Sequence, residues 1–427
     1  MTTQGLRPPL AVCDADMRSG LDACVHCGFC LPACPTYLAL DNENDSPRGR
    51  LVLMRALLDG SVAANDPDAT QHLDQCLGCR ACETACPSGV PYGRLLEGTR
   101  ERQRTTQPLP LVARVVLAVF AREWLLRPAL GVARVLRASG LARLAARIAP
   151  PSLRMPFAML ASTARHGAPD YLPQRDGHRG QVALLTGCVM EGLLPSLNRA
   201  TERVLTENGF HITEAQHQVC CGALHAHAGD TTTARKLAKQ NIAAFDASGA
   251  AFVAINSAGC GAMCREYAHL LADEPQWAAR AAAFSDKVRD ASELLATAGP
   301  KPTAPTPYPT PVAWDAPCHL QHAQRVVEPP LQVLRAAGHV QLVPLEDSAQ
   351  CCGSAGIYGL IQPDIAQRVL APKLARIHES GAAVVATSNP GCLMQIGAGL
   401  LLAGTAVEAR HPIELLDEAY ARTRRIH

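Results

Sequence analysis

At 427 residues the chain is long enough for two or three domains, each with its own core. A formal net charge of +2 and 4% aromatic residues exclude a basic nucleic-acid-binding protein and a base-stacking surface. Eighteen cysteines in a chain of this size exclude a small disulfide scaffold and point to metal chemistry in a reducing compartment.

Residues 1–10 lack the charged start and apolar run that secretion needs, which places the protein in the cytoplasm. Residues 1–100 carry two cysteine runs of identical spacing, Cys24-Val-His-Cys27-Gly-Phe-Cys30-Leu-Pro-Ala-Cys34-Pro35 and Cys76-Leu-Gly-Cys79-Arg-Ala-Cys82-Glu-Thr-Ala-Cys86-Pro87. Three thiolates at intervals of three residues suit three corners of one iron-sulfur cube, because sulfur is a soft ligand for iron. In two-cluster ferredoxins the fourth cysteine of each run serves the other cluster. The expectation is therefore a pair of 4Fe-4S clusters, one on Cys24, Cys27, Cys30 and Cys86, the other on Cys76, Cys79, Cys82 and Cys34. Zinc sites usually space their ligands as separated pairs, so this repeated spacing is a poor zinc signal. The 41 residues between Cys34 and Cys76 hold a helical pattern over 50–58, begun after Pro47 and stopped at Gly60. That pattern favours an α-helical ferredoxin. Arg48 and Arg50 read either as solvated surface or as cations balancing cluster charge.

Residues 101–178 form a connector in which leucine, valine and alanine alternate with arginine at helical intervals, broken at Pro128, Gly140 and Pro150-Pro151. Between 109 and 155 there are eight arginines and one acid, Glu123. No apolar run reaches the roughly 18 residues of a membrane span, so any membrane contact is peripheral. These arginine-bearing faces suit an anionic membrane or a partner, but amphipathic helices of this kind mostly cover a core, and that is the expectation.

An internal repeat follows, over 179–297 and 312–427, joined by a proline-rich linker at 298–311. The first unit holds Cys188, Cys220-Cys221-Gly222 and Cys260; the second holds Cys318, Cys351-Cys352-Gly353 and Cys392. Cysteine intervals of 32 and 39 residues in one unit and 33 and 40 in the other mean one fold used twice. Short apolar runs alternate with helical segments at 197–209, 232–245, 331–337 and 365–380, the pattern of parallel strands with crossover helices. The crevice of such a sheet lies beyond the strand carboxyl ends, where Cys188, Cys260, Cys318 and Cys392 fall. Adjacent cysteines before a glycine suggest metal ligation, the glycine allowing a tight turn. These eight thiols suit one further iron-sulfur cluster between the units or one in each, and spacing leaves both open. His225, His227, His319 and His322 are expected to be surface or core residues, since they complete no ligand spacing. Cys13 and Cys264 remain, and read as structural.

These residues resemble a known arrangement, a helical ferredoxin joined to two CCG domains. It is shared by the iron-sulfur subunits of bacterial glycolate oxidase and anaerobic glycerol-3-phosphate dehydrogenase, by lactate-utilisation proteins and by heterodisulfide reductases. Cys34-Pro-Thr-Tyr37, Pro47-Arg-Gly-Arg50, Cys318-His-Leu-Gln-His-Ala323 and Cys351-Cys-Gly-Ser-Ala-Gly356 look most like the glycolate oxidase subunits. The resemblance implies an electron-transfer subunit without catalytic residues of its own, fed by FAD on separate glycolate-oxidising subunits and delivering to a quinone or other acceptor, in the cytoplasm or at the inner face of the cell membrane. A Gly-x-Gly-x-x-Gly after a strand is absent, which agrees with flavin held elsewhere. A lactate or glycerol-3-phosphate dehydrogenase subunit and a disulfide-cleaving enzyme are the rival readings, with a metal-stabilised scaffold as a third. Heterodisulfide reductases end each CCG unit in Cys-x2-Cys; here Cys264 falls one residue too far from Cys260, and Cys392 is followed by Leu-Met-Gln395.

Overall fold

The computed structural model describes residues 14–164, 171–174 and 177–425. Residues 1–10 and Cys13 lie outside them. The N-terminal part is helical: Asp14–Asp22, Pro35–Leu40, Pro47–Asp59, Pro67–Asp74, Ala81–Ala85 and Tyr92–Arg104. The helix expected after Pro47 starts there because the Ser46 side chain accepts from the Gly49 amide and proline needs no amide partner in the first turn. It stops at Gly60, whose φ of 76° is left-handed. Met17, Leu21, Leu51, Met54, Leu73, Leu95 and Leu96 form its core. Arg50 is not solvated surface. It is fully buried and donates to Thr36 Oγ1 (2.9 Å), Asp45 Oδ1 (3.1 Å) and the His72 carbonyl (2.7 Å), tying the turn after Cys34 to the helix before Cys76. Arg48 remains partly exposed and pairs with Glu43.

Each repeat unit is a four-stranded parallel sheet with helices. In the first, β1 (Gln181–Leu184), β2 (His211–Thr213), β3 (Phe252–Ile255) and β4 (Val288–Asp290) lie in the order β2-β1-β3-β4. In the second, β5 (Thr310–Trp314), β6 (Val340–Val343), β7 (Val384–Ala386) and β8 (Glu408–Arg410) lie in the order β6-β5-β7-β8. The matching orders make the units copies of one α/β fold. Central strands are apolar and buried on both faces, as sandwiched parallel strands must be. One apolar cluster spans both units, joining Val182, Leu184 and Val204 to Val333, Ile413 and Leu416. Hydrogen bonds cross the same seam, from Ala258 N to the Ser388 carbonyl and from Gly259 N to Asn389 Oδ1, both 3.1 Å.

The stretch read as a linker is sewn down. Amides of Thr303, Thr306 and Thr310 donate to the carbonyls of Ala336 (2.9 Å), Gly338 (3.1 Å) and His339 (2.7 Å). Its last two residues, Thr310 and Pro311, already belong to β5.

The connector forms helices Leu111–Phe120, Glu123–Ala138, Leu141–Ile148 and Pro151–Ser162. The last docks through Ala158 onto Ala146 and Ala398, as a core-covering helix should. Two of the others depart from that expectation: Glu123–Ala138 buries only Leu126, and Leu111–Phe120 only Ala113 and Leu117. Among the described residues, no helix is long and apolar enough to cross a membrane.

Candidate metal centres

The cysteines gather around three cavities that share walls. A small one near the surface is lined by Cys24, Cys27, Cys30 and Cys86, with Cys82 at its inner side. A second is lined by Cys34, Cys76, Cys79 and Cys82. The fourth cysteine of each run thus stands with the first three of the other run. The third cavity, of about 500 Å³, lies between the repeat units and is lined by all eight of their thiols, Cys188, Cys220, Cys221, Cys260, Cys318, Cys351, Cys352 and Cys392, with Cys76 and Leu77 reaching in. Among the described residues, no three His, Cys, Asp or Glu side chains converge as a single metal ion requires. The donors facing these cavities are instead sets of soft sulfur around a larger space, which is the donor set of iron-sulfur clusters.

Backbone geometry sets the thiols in place. Cys188 opens the helix Cys188–Leu193 beyond β1, Cys260 lies in Ala258–Arg265 beyond β3, and Cys392 in Pro390–Leu402 beyond β7. Cys318 precedes a π-helical turn, His319–Ala323, beyond β5. All four stand past strand carboxyl ends, as topology demands. Cys220 and Cys351 arrive on the turns completed by Gly222 and Gly353, with φ of 86° and 81°.

The units also match electrostatically. Cys188 Sγ lies 3.6 Å from Cys220 Sγ, and Cys352 Sγ 3.1 Å from Cys392 Sγ. Hydrogen bonds from Cys188 and then Cys221 hold the Cys220 thiol well below the ordinary range. Bonds from Cys318 and then Cys352, aided by the Gly353 amide at 3.4 Å, do the same for Cys351. In the first unit a hydrogen bond from Cys221 lowers Cys260 as well, so lowered thiols stand in both units, and thiolate is the form that binds metal. Cys264 is fully buried in the core of the first unit beside Tyr267, and burial pushes its thiol up. At the matching position, four residues after Cys392, the second unit has buried Ile396, with buried Gln395 before it.

The four histidines are clamps between domains, which their sequence positions do not reveal. His319 Nε2 donates to the Gly78 carbonyl (3.1 Å), and His227 Nδ1 to Glu97 Oε1 (2.7 Å). His322 Nδ1 accepts from Thr84 Oγ1 (3.0 Å), and His225 Nε2 donates to the Leu117 carbonyl (3.0 Å). Burial pushes His319 down to about 4, so it donates as a neutral ring. Sequence reading also missed Arg100, which donates to the carbonyls of Leu73 (2.9 Å), Cys76 (2.7 Å) and His227 (2.9 Å) and so fastens the Cys76 loop to the first unit.

Gly353→Ala is expected to destabilise the second unit by about 2–3 kcal/mol, because left-handed backbone penalises a side chain and the new Cβ would lie 2.5 Å from the Ala366 carbonyl. Gly222→Ala should cost less, its nearest atom being Ala234 Cα at 3.3 Å. Thermal midpoints of the two variants, measured without oxygen, check the order.

Comparison with known families agrees with this geometry. The 4Fe-4S dicluster domain matches residues 20–90, and the Cysteine-rich domain matches 182–265 and again 312–397. Fold and thiol sets together define an iron-sulfur protein, a helical dicluster ferredoxin fused to tandem cysteine-rich domains. Lactate utilization protein A of Exiguobacterium sp. is 29% identical over 56% of this chain and 97% of its own. The glycolate oxidase iron-sulfur subunit of Escherichia coli (strain K12) is 34% identical over 98% of both chains, and the probable glycolate oxidase iron-sulfur subunit of Bacillus subtilis (strain 168) is 37% identical over 93% of both. The chain belongs to the family of glycolate oxidase iron-sulfur subunits.

Proposed function

We propose that this chain is the electron-transfer subunit of a glycolate-oxidising complex, accepting electrons from FAD on a partner subunit and passing them to a quinone at the inner face of the cell membrane. The observation that carries this reading is the sharing of walls: Cys82 borders the first and second cavities, and Cys76 the second and third. An array of thiols therefore runs unbroken from the surface to the space between the repeat units.

Cys24, Cys27, Cys30 and Cys86 would hold one 4Fe-4S cluster, and Cys34, Cys76, Cys79 and Cys82 a second. Close thiol contacts run within each repeat unit, at 188–220 and 352–392, which supports a further cluster in each unit over a single one between them. Bound clusters supply one-electron transfer. The chain's own residues hold the thiols in register and set the local charge. Tyr92 donates to Cys76 Sγ (3.6 Å) and the Gly78 amide does the same (3.4 Å), and such bonds to sulfur tune potential. The disulfide-cleaving reading finds no support in the buried Cys264 and the Gln395 side chain.

The test is glycolate-dependent reduction of a quinone analogue by the complex with and without this chain. Reduction should vanish without it while glycolate still bleaches the partner's flavin; unchanged quinone reduction would sink the proposal. An anaerobic iron count should give about sixteen atoms per chain, four for each of four cubes.

A further inference from the structure

The outward faces of the connector bring together two features that seldom share a surface. Val115, Trp124, Val132, Val135, Leu144 and Ile148 are between 52% and 72% exposed. On Glu123–Ala138 the apolar positions 124, 132 and 135 fall on one stripe with Pro128, and on Leu141–Ile148 the positions 141, 144 and 148 do the same. Arg127, Arg134, Arg143 and Arg147 stand exposed among them. Arg127 pairs with Glu123, the sole acid of the segment. Among the described residues, Arg114, Arg134, Arg143 and Arg147 have no ion-pair partner. The whole chain carries +2 and this segment, with eight arginines and one acid, carries +7, so the remainder is net acidic.

The same layer has an inner side. Val116 and Phe120, on the helix whose outer face shows Leu111, Val112 and Val115, line the 500 Å³ cavity together with Leu109, Pro110 and Met159. One helix thus faces outward with apolar side chains and inward onto the thiols.

The geometry points to the connector as an in-plane docking surface for an anionic lipid bilayer, resting on the reading above of a chain that delivers electrons to a membrane-soluble quinone. Apolar side chains at this spacing enter the headgroup boundary while arginines reach phosphates beside them, and an exposed tryptophan is at home at that depth. A protein partner would have to supply acids to match unpaired arginines spread over three helices; an anionic bilayer offers them everywhere. Seated this way, the molecule turns its cavity-lining helix toward the lipid and its acidic remainder toward water.

The purified full chain, kept anaerobic, should co-sediment with vesicles containing phosphatidylglycerol and far less with phosphatidylcholine alone, and high salt should weaken binding. Each arginine near such a surface contributes about fivefold to binding, so Arg134→Glu, Arg143→Glu and Arg147→Glu together should weaken it at least about hundredfold. Leu144→Ser with Ile148→Ser should also release the chain at unchanged charge, and Trp124 emission should shift to the blue only with anionic vesicles. All these positions are exposed, so unchanged circular dichroism is expected of every variant. Absence of vesicle binding overturns the docking surface, as does a triple variant that keeps vesicle binding but loses its flavin partner, which would mark a protein interface instead. Vesicle binding is read without glycolate, so a chain that relays electrons yet ignores vesicles overturns docking alone. One that binds vesicles yet relays nothing overturns the relay alone.

Discussion

Cys76→Ala should abolish quinone reduction by the complex, by at least about 100-fold, while glycolate continues to reduce the partner's flavin. A hundredfold is the upper end of what losing an outer partner of a metal ligand costs, and Cys76 is proposed as a ligand itself. Its position makes the loss unusually complete. Cys76 borders both the inner ferredoxin cavity and the cavity between the repeat units, so the substitution opens the array at its middle. The loop should stay in place, because Arg100 holds it through the Cys76 carbonyl and not through the side chain. Stopped-flow absorbance separates flavin bleaching from acceptor reduction. A variant that still reduces quinone at the parent rate would remove Cys76 from the route, and one whose flavin no longer bleaches would show that the damage lies upstream.

The largest expected effect on stability sits beneath the second thiol set. Asp315 directly follows β5 and Lys373 projects from the helix Pro363–Glu379; their side chains are 2% and 1% exposed and 2.9 Å apart. Lys373 also donates to the carbonyls of Asp347 (2.8 Å) and Ser348 (3.0 Å), and Thr387 donates to Asp315 Oδ2 (2.9 Å). Every member is thus paired. Asp315→Ala leaves a buried ammonium without its counter-ion, which costs about 3–5 kcal/mol. Asp315→Leu combined with Lys373→Met should recover most of that loss, since replacing both charges by apolar groups is often neutral. The first unit illustrates the alternative: the position matching Asp315 is Leu185, 1% exposed within the apolar core. Urea midpoints of the single and double variants decide the matter; a double variant no better than Asp315→Ala would mean that the charges do more than neutralise each other.

What could be read from the chain beforehand was whatever local spacing encodes. The two ferredoxin runs and the Cys, Cys-Cys-Gly, Cys repeat are patterns within a few dozen residues, and the helix between Pro47 and Gly60 is bracketed by its own start and stop signals. The strands β2, β4, β6 and β8 escaped because they are three or four residues long and carry His211, Arg289, Gln341 and Glu408 at sheet edges, where apolar alternation fades. The histidine clamps escaped for a different reason. His319 finds Gly78, and His227 finds Glu97, across more than a hundred residues of chain, and nothing near either histidine announces the partner. Lys373 and Arg50 look like ordinary helix-surface cations until tertiary packing closes over them. The connector misled in the opposite direction: its period is that of a core-covering helix, yet Leu126 is the only residue of Glu123–Ala138 that is buried. A hydrophobic stripe states that something apolar covers it and does not state what.

The sewn-down linker bears on the speed of electron transfer. The amides of Thr303, Thr306 and Thr310 are bonded to carbonyls just ahead of β6 in the second unit, and the Lys301 amide donates to Asn208 Oδ1 (2.8 Å) in the first, so the stretch is fastened to both units. The dipoles around the thiols are then fixed before any charge arrives. A one-electron hop is slowed by the nuclear rearrangement that its surroundings must undergo, and a preorganised polar setting keeps that rearrangement small. With clusters bound as proposed, the proline-rich stretch that looks like slack between two copies of a fold would keep the reorganisation energy at their seam low.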